Sequence, residues 1–161
     1  MKILICDKTE KEYIEQMRAA GLTVDVRDDI TAEELPNVLP AYDGMVVRSR
    51  TKVRQPLIDV CPNLKVIVRG GVGLDTIDHE YAKSKGIAVM NTPLASSASV
   101  AELAIGYMFM LARSLYKAAS TMKAEKWEKK AFEGDEIGGK TLGLIGVGNI
   151  GREVAKRAVA L

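Results

Sequence analysis

Short apolar runs rich in Val and Ile alternate with segments that carry helix start signals, and this alternation restricts the chain to few folds. Five runs have strand length: Lys2–Cys6, Thr23–Val26, Gly44–Val47, Leu64–Val68 and Ile87–Met90. Thr9-x-x-Glu12 has the spacing of a capping box, in which a hydroxyl and a carboxylate satisfy free N–H groups at a helix start. Apolar Tyr13, Ile14, Met17 and Ala20 follow at helical spacing, and Gly21 falls where that helix would end. Thr31-x-x-Glu34 predicts a second, short helix, stopped by Pro36 or Pro40. Gln55–Val60 carries Pro56 near its first position, where a missing N–H matters least. Glu80–Lys85 is a further short helix closed by Gly86.

Such alternation implies βαβ units and a parallel sheet. The expected class is α/β, and residues 1–90 suffice for a five-stranded, flavodoxin-like doubly wound parallel sheet. Ligands of such sheets sit beyond the carboxyl ends of the strands. Two loops fall there, Arg48-Ser49-Arg50-Thr51 and Arg69-Gly70-Gly71-Val72-Gly73.

After Asn91-Thr92-Pro93 the character changes. Ser99-x-x-Glu102 is a third capping-box spacing and predicts a helix running to about Ala119. Its Leu103–Ala112 stretch is apolar nearly all round, which predicts burial between two lobes or two subunits. Lys117–Lys130 holds five Lys and two Glu and reads as a solvated face, with Trp127 expected to pack as an anchor. Lys+Arg 23 against Asp+Glu 21 leaves a net charge of +2, too near neutrality to point to nucleic acid or a membrane surface. Leu103–Ala112 is also the longest apolar run, well short of the ~20 residues that a bilayer requires. The N-terminus reads as a strand rather than a signal peptide. Cys6 and Cys61 are expected to be buried free thiols in a reduced compartment, and with the missing signal this points to the cytoplasm. No metal-ligand spacing is present.

Thr141–Ile145 reads as a strand running directly into Gly146-Val147-Gly148-Asn149-Ile150-Gly151, with helix from Arg152 to Ala158. G-x-G-x-x-G is weak evidence alone; between a strand and a helix it fits a dinucleotide loop. Gly146 suits the tight turn, Gly148 the approach of backbone to a pyrophosphate, and Gly151 close helix packing. The N–H groups around Asn149 and Ile150 would face the phosphates at the positive end of the helix. The acidic residue that would hold the ribose is expected ~20 residues further on, past Leu161.

The order of these pieces resembles the D-2-hydroxyacid dehydrogenases. The resemblance is carried by Val47-Arg48-Ser49-Arg50-Thr51-Lys52-Val53, by Arg69 through Asp78, by Asn91-Thr92-Pro93, by Ser99-Val100-Ala101-Glu102-Leu103 and by Gly139 through Ala155. It implies a two-lobe NAD enzyme with its active site in the cleft. Residues 1–95 would be the substrate lobe. Residues 96–161 would be the interdomain helix and the first strand and helix of a Rossmann NAD-binding domain. Gly70, Gly71, Val72 and Gly73 match the loop that binds the substrate carboxylate through backbone N–H groups, which suits an anion nest. Val72 also matches a cofactor contact. Arg48 and Ser49 match a loop near the phosphate end of the substrate in members that use phosphoglycerate, although a surface ion pair is an equal reading for Arg48. Arg69 could contact substrate or brace its own loop. Val100 matches the nicotinamide side, and Asn149 and Ile150 the pyrophosphate pair.

The family's catalytic Arg, Glu and His match no position among the 161. His79, in Asp78-His79-Glu80, reads as a surface or capping residue. The implied reaction moves a hydride between C2 of a small 2-hydroxy acid and nicotinamide, in a homo-oligomer formed through the 99–119 helix region. A different class stays open: a non-catalytic flavodoxin-like binding or dimerisation module.

Overall fold

The computed structural model describes all 161 residues, in two compact units, Met1–Pro93 and Leu94–Leu161. In the first unit, β1 (Lys2–Ile5), β2 (Thr23–Val26), β3 (Gly44–Val47), β4 (Val66–Arg69) and β5 (Ala88–Asn91) form one parallel sheet in the order β2-β1-β3-β4-β5. That is the expected α/β, flavodoxin-like arrangement. The connections carry α1 (Lys11–Ala19), α2 (Leu35–Val38), α3 (Gln55–Asp59) and α4 (His79–Ser84).

Alternate side chains on each strand point opposite ways, so the sheet has two apolar faces, one packed from β1 to β5 and the other over β1, β2 and β3 while Met90 of β5 stays exposed. Leu4, Cys6, Met45, Val47 and Ile67 pack on one face against Leu35 of α2, Leu57 and Ile58 of α3 and Ala82 of α4. Ile3, Ile5 and Val24 meet Ile14 of α1 on the other. Both thiols are free and buried, as expected, and burial pushes Cys6 up to about 12 and Cys61 to about 11.

Two glycines end helices by backbone conformation alone. Gly21 (φ +86°) closes α1, its N–H donating to Arg18 O (2.9 Å) while Leu22 N–H donates to Met17 O (3.2 Å). Gly86 (φ +78°) closes α4 in the same way. The helix starts agree less well with their spacing. Thr31 and Glu34 form the reciprocal box, Glu34 N–H donating to Thr31 Oγ1 (3.2 Å) and Thr31 N–H to Glu34 Oε2 (3.0 Å). Thr9 and Glu12 do not, because Thr9 Oγ1 turns back to Asp7 O and the helix starts after Glu10. Of the two prolines, Pro40 marks the stop, since α2 ends at Val38 with Leu39 as its cap. Pro36 lies in the first turn of α2, and Pro40 in the first turn of a 3-10 turn at Leu39–Ala41.

The second unit departs further from expectation. The single helix to Ala119 is two: α5 (Ser97–Ala112) and α6 (Leu115–Lys123), bent by 68° where Ser114 adopts φ +48°. Ser99 caps nothing, since its hydroxyl bonds Ser96 O inside the first turn. α7 (Asn149–Ala158) packs along α5, with Ala101 and Val154 buried there. Arg157 joins Glu102 (3.0 Å) to Glu153. Thr141–Ile145 forms no strand: this unit contains no other strand, and an extended run without a ladder partner leaves its backbone unpaired. The apolar stretch of α5 is not enclosed either. Leu103, Tyr107 and Leu111 are exposed, and Trp127 packs against nothing (76% exposed). The five Lys of 117–130 are solvated, as expected. No single helix is long and apolar enough to cross a membrane.

Candidate functional site

Parallel pairing of the strands brings their carboxyl ends to one edge. Val47 pairs with Arg69 and Arg69 with Asn91, so the segments starting at Arg48, Gly70 and Thr92 leave the sheet side by side. Asp7 joins them from the end of β1.

The glycine loop is tightly held. Arg69 is almost buried along its side chain (12% exposed); its guanidinium donates to Gly73 O, reaches Arg48 O (3.5 Å) and lies 3.8 Å from Asp75. Of the two readings of Arg69, the geometry gives the brace. A Cβ on Gly71 would stand 3.4 Å from the Arg69 guanidinium, and one on Gly73 would stand 2.8 Å from the Asp75 carboxylate. From the β5 end, Asn91 Nδ2 donates to Val72 O (2.6 Å) and Thr92 N–H to Gly71 O (3.0 Å).

This bracing divides the expected nest. Gly70 N–H is spent on Val47 O (2.8 Å) and Gly71 N–H on Arg69 O (2.9 Å). The N–H groups of Val72 and Gly73 have no acceptor in the chain, and both residues are exposed. The anion-ready part of the loop is therefore Val72–Gly73, with Gly70 and Gly71 shaping it.

Arg48 and Ser49 are exposed at the end of β3. Arg48 makes no ion pair; one guanidinium N–H reaches Lys8 O (3.3 Å), and its aliphatic stem lies where a Cβ on Gly70 would stand 3.4 Å away. The stem thus packs beside Gly70, while the guanidinium reaches toward the end of β1 with most of its donors free. Arg50 is committed elsewhere, to Asp7 (2.9 Å), Ile30 O (3.3 Å) and Cys6 O. The loop bases Val53 and Ile77 form a parallel bridge, Val53 N–H donating to Thr76 O and Asp78 N–H to Val53 O (both 2.9 Å). Arg54 adds an ion pair to Asp78 (2.8 Å), which holds the Asp78 carboxyl below its usual range.

Asp7 gave no signal in the sequence beyond its place after β1. It is buried and accepts four hydrogen bonds from the Arg48–Thr51 loop. Burial pushes its carboxyl up. The bonds from Arg48, Arg50 and Thr51 outweigh that and hold it below the ordinary value. His79 is at the surface at the start of α4, 3.2 Å from Glu80.

A cavity of about 770 Å³ is lined by Leu35, Pro36, Arg50, Leu57 and Val60 among others, and includes none of Arg48, Ser49 or Gly70–Gly73.

In the second unit, the glycine string is a tight turn leading into α7, without the preceding strand. Gly146 takes φ +89°, open only to glycine at little cost. A Cβ on Gly151 would come 2.4 Å from Gly146 O, so the loop folds tightly onto α7. Gly148 has nothing within 4 Å of its absent Cβ, which leaves its backbone open to a ligand. α7 has no side-chain cap, and its first intrahelical bond is Arg152 N–H to Gly148 O (3.0 Å). The N–H groups of Asn149, Ile150 and Gly151 consequently lack acceptors in the chain. These features fit a dinucleotide pyrophosphate. Val100 stands half-exposed on α5.

Comparison with known proteins identifies the family. Residues 3–159 match the D-isomer specific 2-hydroxyacid dehydrogenase catalytic domain. The chain is 48% identical to the hydroxypyruvate reductase of Thermotoga maritima, over 99% of its length and 52% of the relative's. It is 45% identical to the D-3-phosphoglycerate dehydrogenase of Archaeoglobus fulgidus, over 100% of its length and 31% of the relative's. It thus spans about half of the first relative and under a third of the second. Among solved structures, the D-lactate dehydrogenase of Aquifex aeolicus, complexed with NAD and lactic acid, superposes with a TM-score of 0.83. That match has 27% identity and covers 99% of this chain and 48% of the other. The chain belongs to the D-isomer specific 2-hydroxyacid dehydrogenase family.

Proposed function

We propose that this chain supplies the substrate-carboxylate loop and the pyrophosphate loop of an NAD-dependent 2-hydroxyacid dehydrogenase. The favoured substrate is 3-phosphoglycerate, oxidised to 3-phosphohydroxypyruvate at the entry to L-serine synthesis. One observation carries the substrate assignment: the two free N–H groups of Val72 and Gly73 lie in the same braced loop against which the unpaired Arg48 packs. A short acid with a carboxylate at one end and a phosphate at the other meets both. The N–H pair would hold the carboxylate, and Arg48, with Ser49, the phosphate. Gly146, Gly148, Asn149, Ile150 and Gly151 would seat the pyrophosphate, with Val72 and Val100 touching the cofactor. NAD, when bound, supplies the hydride acceptor.

The test is NADH formation by the whole protein with 3-phosphoglycerate, D-glycerate and D-lactate as competing substrates, and with NADP in place of NAD. Arg48→Met is expected to raise KM for 3-phosphoglycerate about tenfold or more and to leave KM for D-glycerate nearly unchanged, as loss of one charge-assisted contact should. A preference for D-glycerate would favour the second reading, a hydroxypyruvate or glyoxylate reductase, which the Thermotoga relative supports. No turnover of any 2-hydroxy acid would leave the non-catalytic dimerisation module.

We further propose self-association through residues 99–119. Leu103, Tyr107 and Leu111 form an exposed apolar face that a second copy would cover. Sedimentation at micromolar concentration is expected to give a dimer or larger species; a compact monomer alone would contradict this.

A further inference from the structure

Two arginines flank Ser49, and by charge alone either could take an anion. They are not equivalent. Arg50 Nε donates to Asp7 Oδ1 (2.9 Å), and its other nitrogens donate to Ile30 O (3.3 Å) and Cys6 O. Thr51 Oγ1 donates to the same Oδ1 (2.9 Å), while Oδ2 accepts from the backbone N–H groups of Arg48 and Thr51. Asp7 is 4% exposed, so its carboxylate depends on these four donors, although the Arg50 side chain itself is half exposed. Arg48 has only its reach to Lys8 O.

We infer that Asp7 is a positioning residue for anion selectivity: it withdraws Arg50 from the site and fixes the backbone of Arg48, leaving Arg48 as the one available guanidinium of the loop. The inference rests on the proposed role of Arg48 at the distal anionic group of the substrate.

The donor set explains why the residue must be a carboxylate. Two backbone N–H groups and a guanidinium N–H converge on it, and none of the three can turn into an acceptor. Asparagine has one oxygen. The two fixed backbone donors would take that oxygen, so the amide N–H₂ would face Arg50 Nε–H and the Thr51 hydroxyl. The hydroxyl can rotate and accept; the guanidinium cannot. Asp7→Asn therefore removes the Nε anchor of Arg50 specifically, leaving it only its bonds to the carbonyls of Ile30 and Cys6.

The experiment is a double-mutant cycle on the 161-residue chain, with inorganic phosphate as probe and amide resonances of Arg48, Ser49, Val72 and Gly73 as readout. Acetate is titrated in parallel as a carboxylate that should read only the glycine loop. In the unsubstituted chain, Arg48→Met is expected to weaken phosphate about tenfold. In the Asp7→Asn background the same change should cost under about threefold, the Arg50 Nε–H resonance should lose its protection, and acetate affinity should hold. In an Arg50→Gln background, where an amide still donates to Asp7 and no guanidinium is released, Arg48→Met should keep its full cost. This arm also decides the matter should Asp7→Asn fail to fold. Equal costs of Arg48→Met in the Asp7→Asn and unsubstituted backgrounds, a protected Arg50 Nε–H in Asp7→Asn, or a diminished cost in Arg50→Gln would each overturn the inference. Absence of any phosphate response at Arg48 in the unsubstituted chain would instead overturn the functional reading, and the inference with it.

Discussion

Leu4→Ala is expected to destabilise the first unit by about 2–5 kcal/mol. Leu4 lies on β1, flanked in the sheet by β2 and β3, with no exposed surface, and belongs to the larger of the two core clusters, on the face covered by α2, α3 and α4. Truncation removes the transfer free energy of the missing carbons and leaves a void that a strand hydrogen-bonded on both sides cannot close. Domains of this size hold about 5–15 kcal/mol in all, so a large share of the stability goes. The melting temperature should fall by on the order of 10–30 °C. Glu33→Ala, an exposed residue with no ion pair, should stay within about 0.5 kcal/mol of the parent. Thermal or urea unfolding followed by circular dichroism checks both, and equal midpoints for Leu4→Ala and Glu33→Ala would contradict this account of the core.

The second large effect separates two glycines three positions apart. Gly151→Ala would place a methyl group 2.4 Å from Gly146 O, a backbone atom with no rotamer to escape into. The turn and the helix must move apart, which displaces the free N–H groups of Asn149 and Ile150. Gly148→Ala meets nothing within 4 Å in the chain. It should leave folding intact and still obstruct a pyrophosphate drawn up to that backbone. NADH affinity of the whole protein is expected to drop about tenfold or more for both variants, as each loses a phosphate contact worth over 1 kcal/mol. Only Gly151→Ala should also perturb the amide resonances of Gly146 and Asn149 without ligand. Gly143→Ala, likewise in open space but outside the loop, is the neutral control. Unchanged NADH affinity in Gly148→Ala would remove the dinucleotide reading of this loop.

What the sequence disclosed follows the range of the interactions involved. Gly21 and Gly86 were legible because the left-handed turn they make is decided within five residues. The parallel sheet was legible because five Val/Ile runs separated by helices admit few other arrangements. Thr9 and Thr31 carry the same spacing and behave differently, since the outcome depends on where each helix begins to pack. The break at Ser114 has no Gly or Pro to announce it. Thr141–Ile145 looks like a strand because its composition is that of one, but a strand also needs a neighbour. At the site, Arg48 and the glycine loop were legible as motifs. The roles of Asp7 and Arg69 were not. Asp7 meets donors 41 to 44 positions away, and only the folded sheet brings them together. For Arg69 the sequence left substrate contact and brace of its own loop equally open, and only the bond to Gly73 O separates them.

The bridge between Val53 and Ile77 bears on how the site can move in time. It stitches the connection after β3 to the connection after β4, and the Arg54–Asp78 pair rivets the same seam. Loops joined in this way cannot flap independently over a ligand. The amides of Val53 and Asp78 should exchange with solvent as slowly as those of the sheet itself. Any motion that admits a ligand must then move these two connections together.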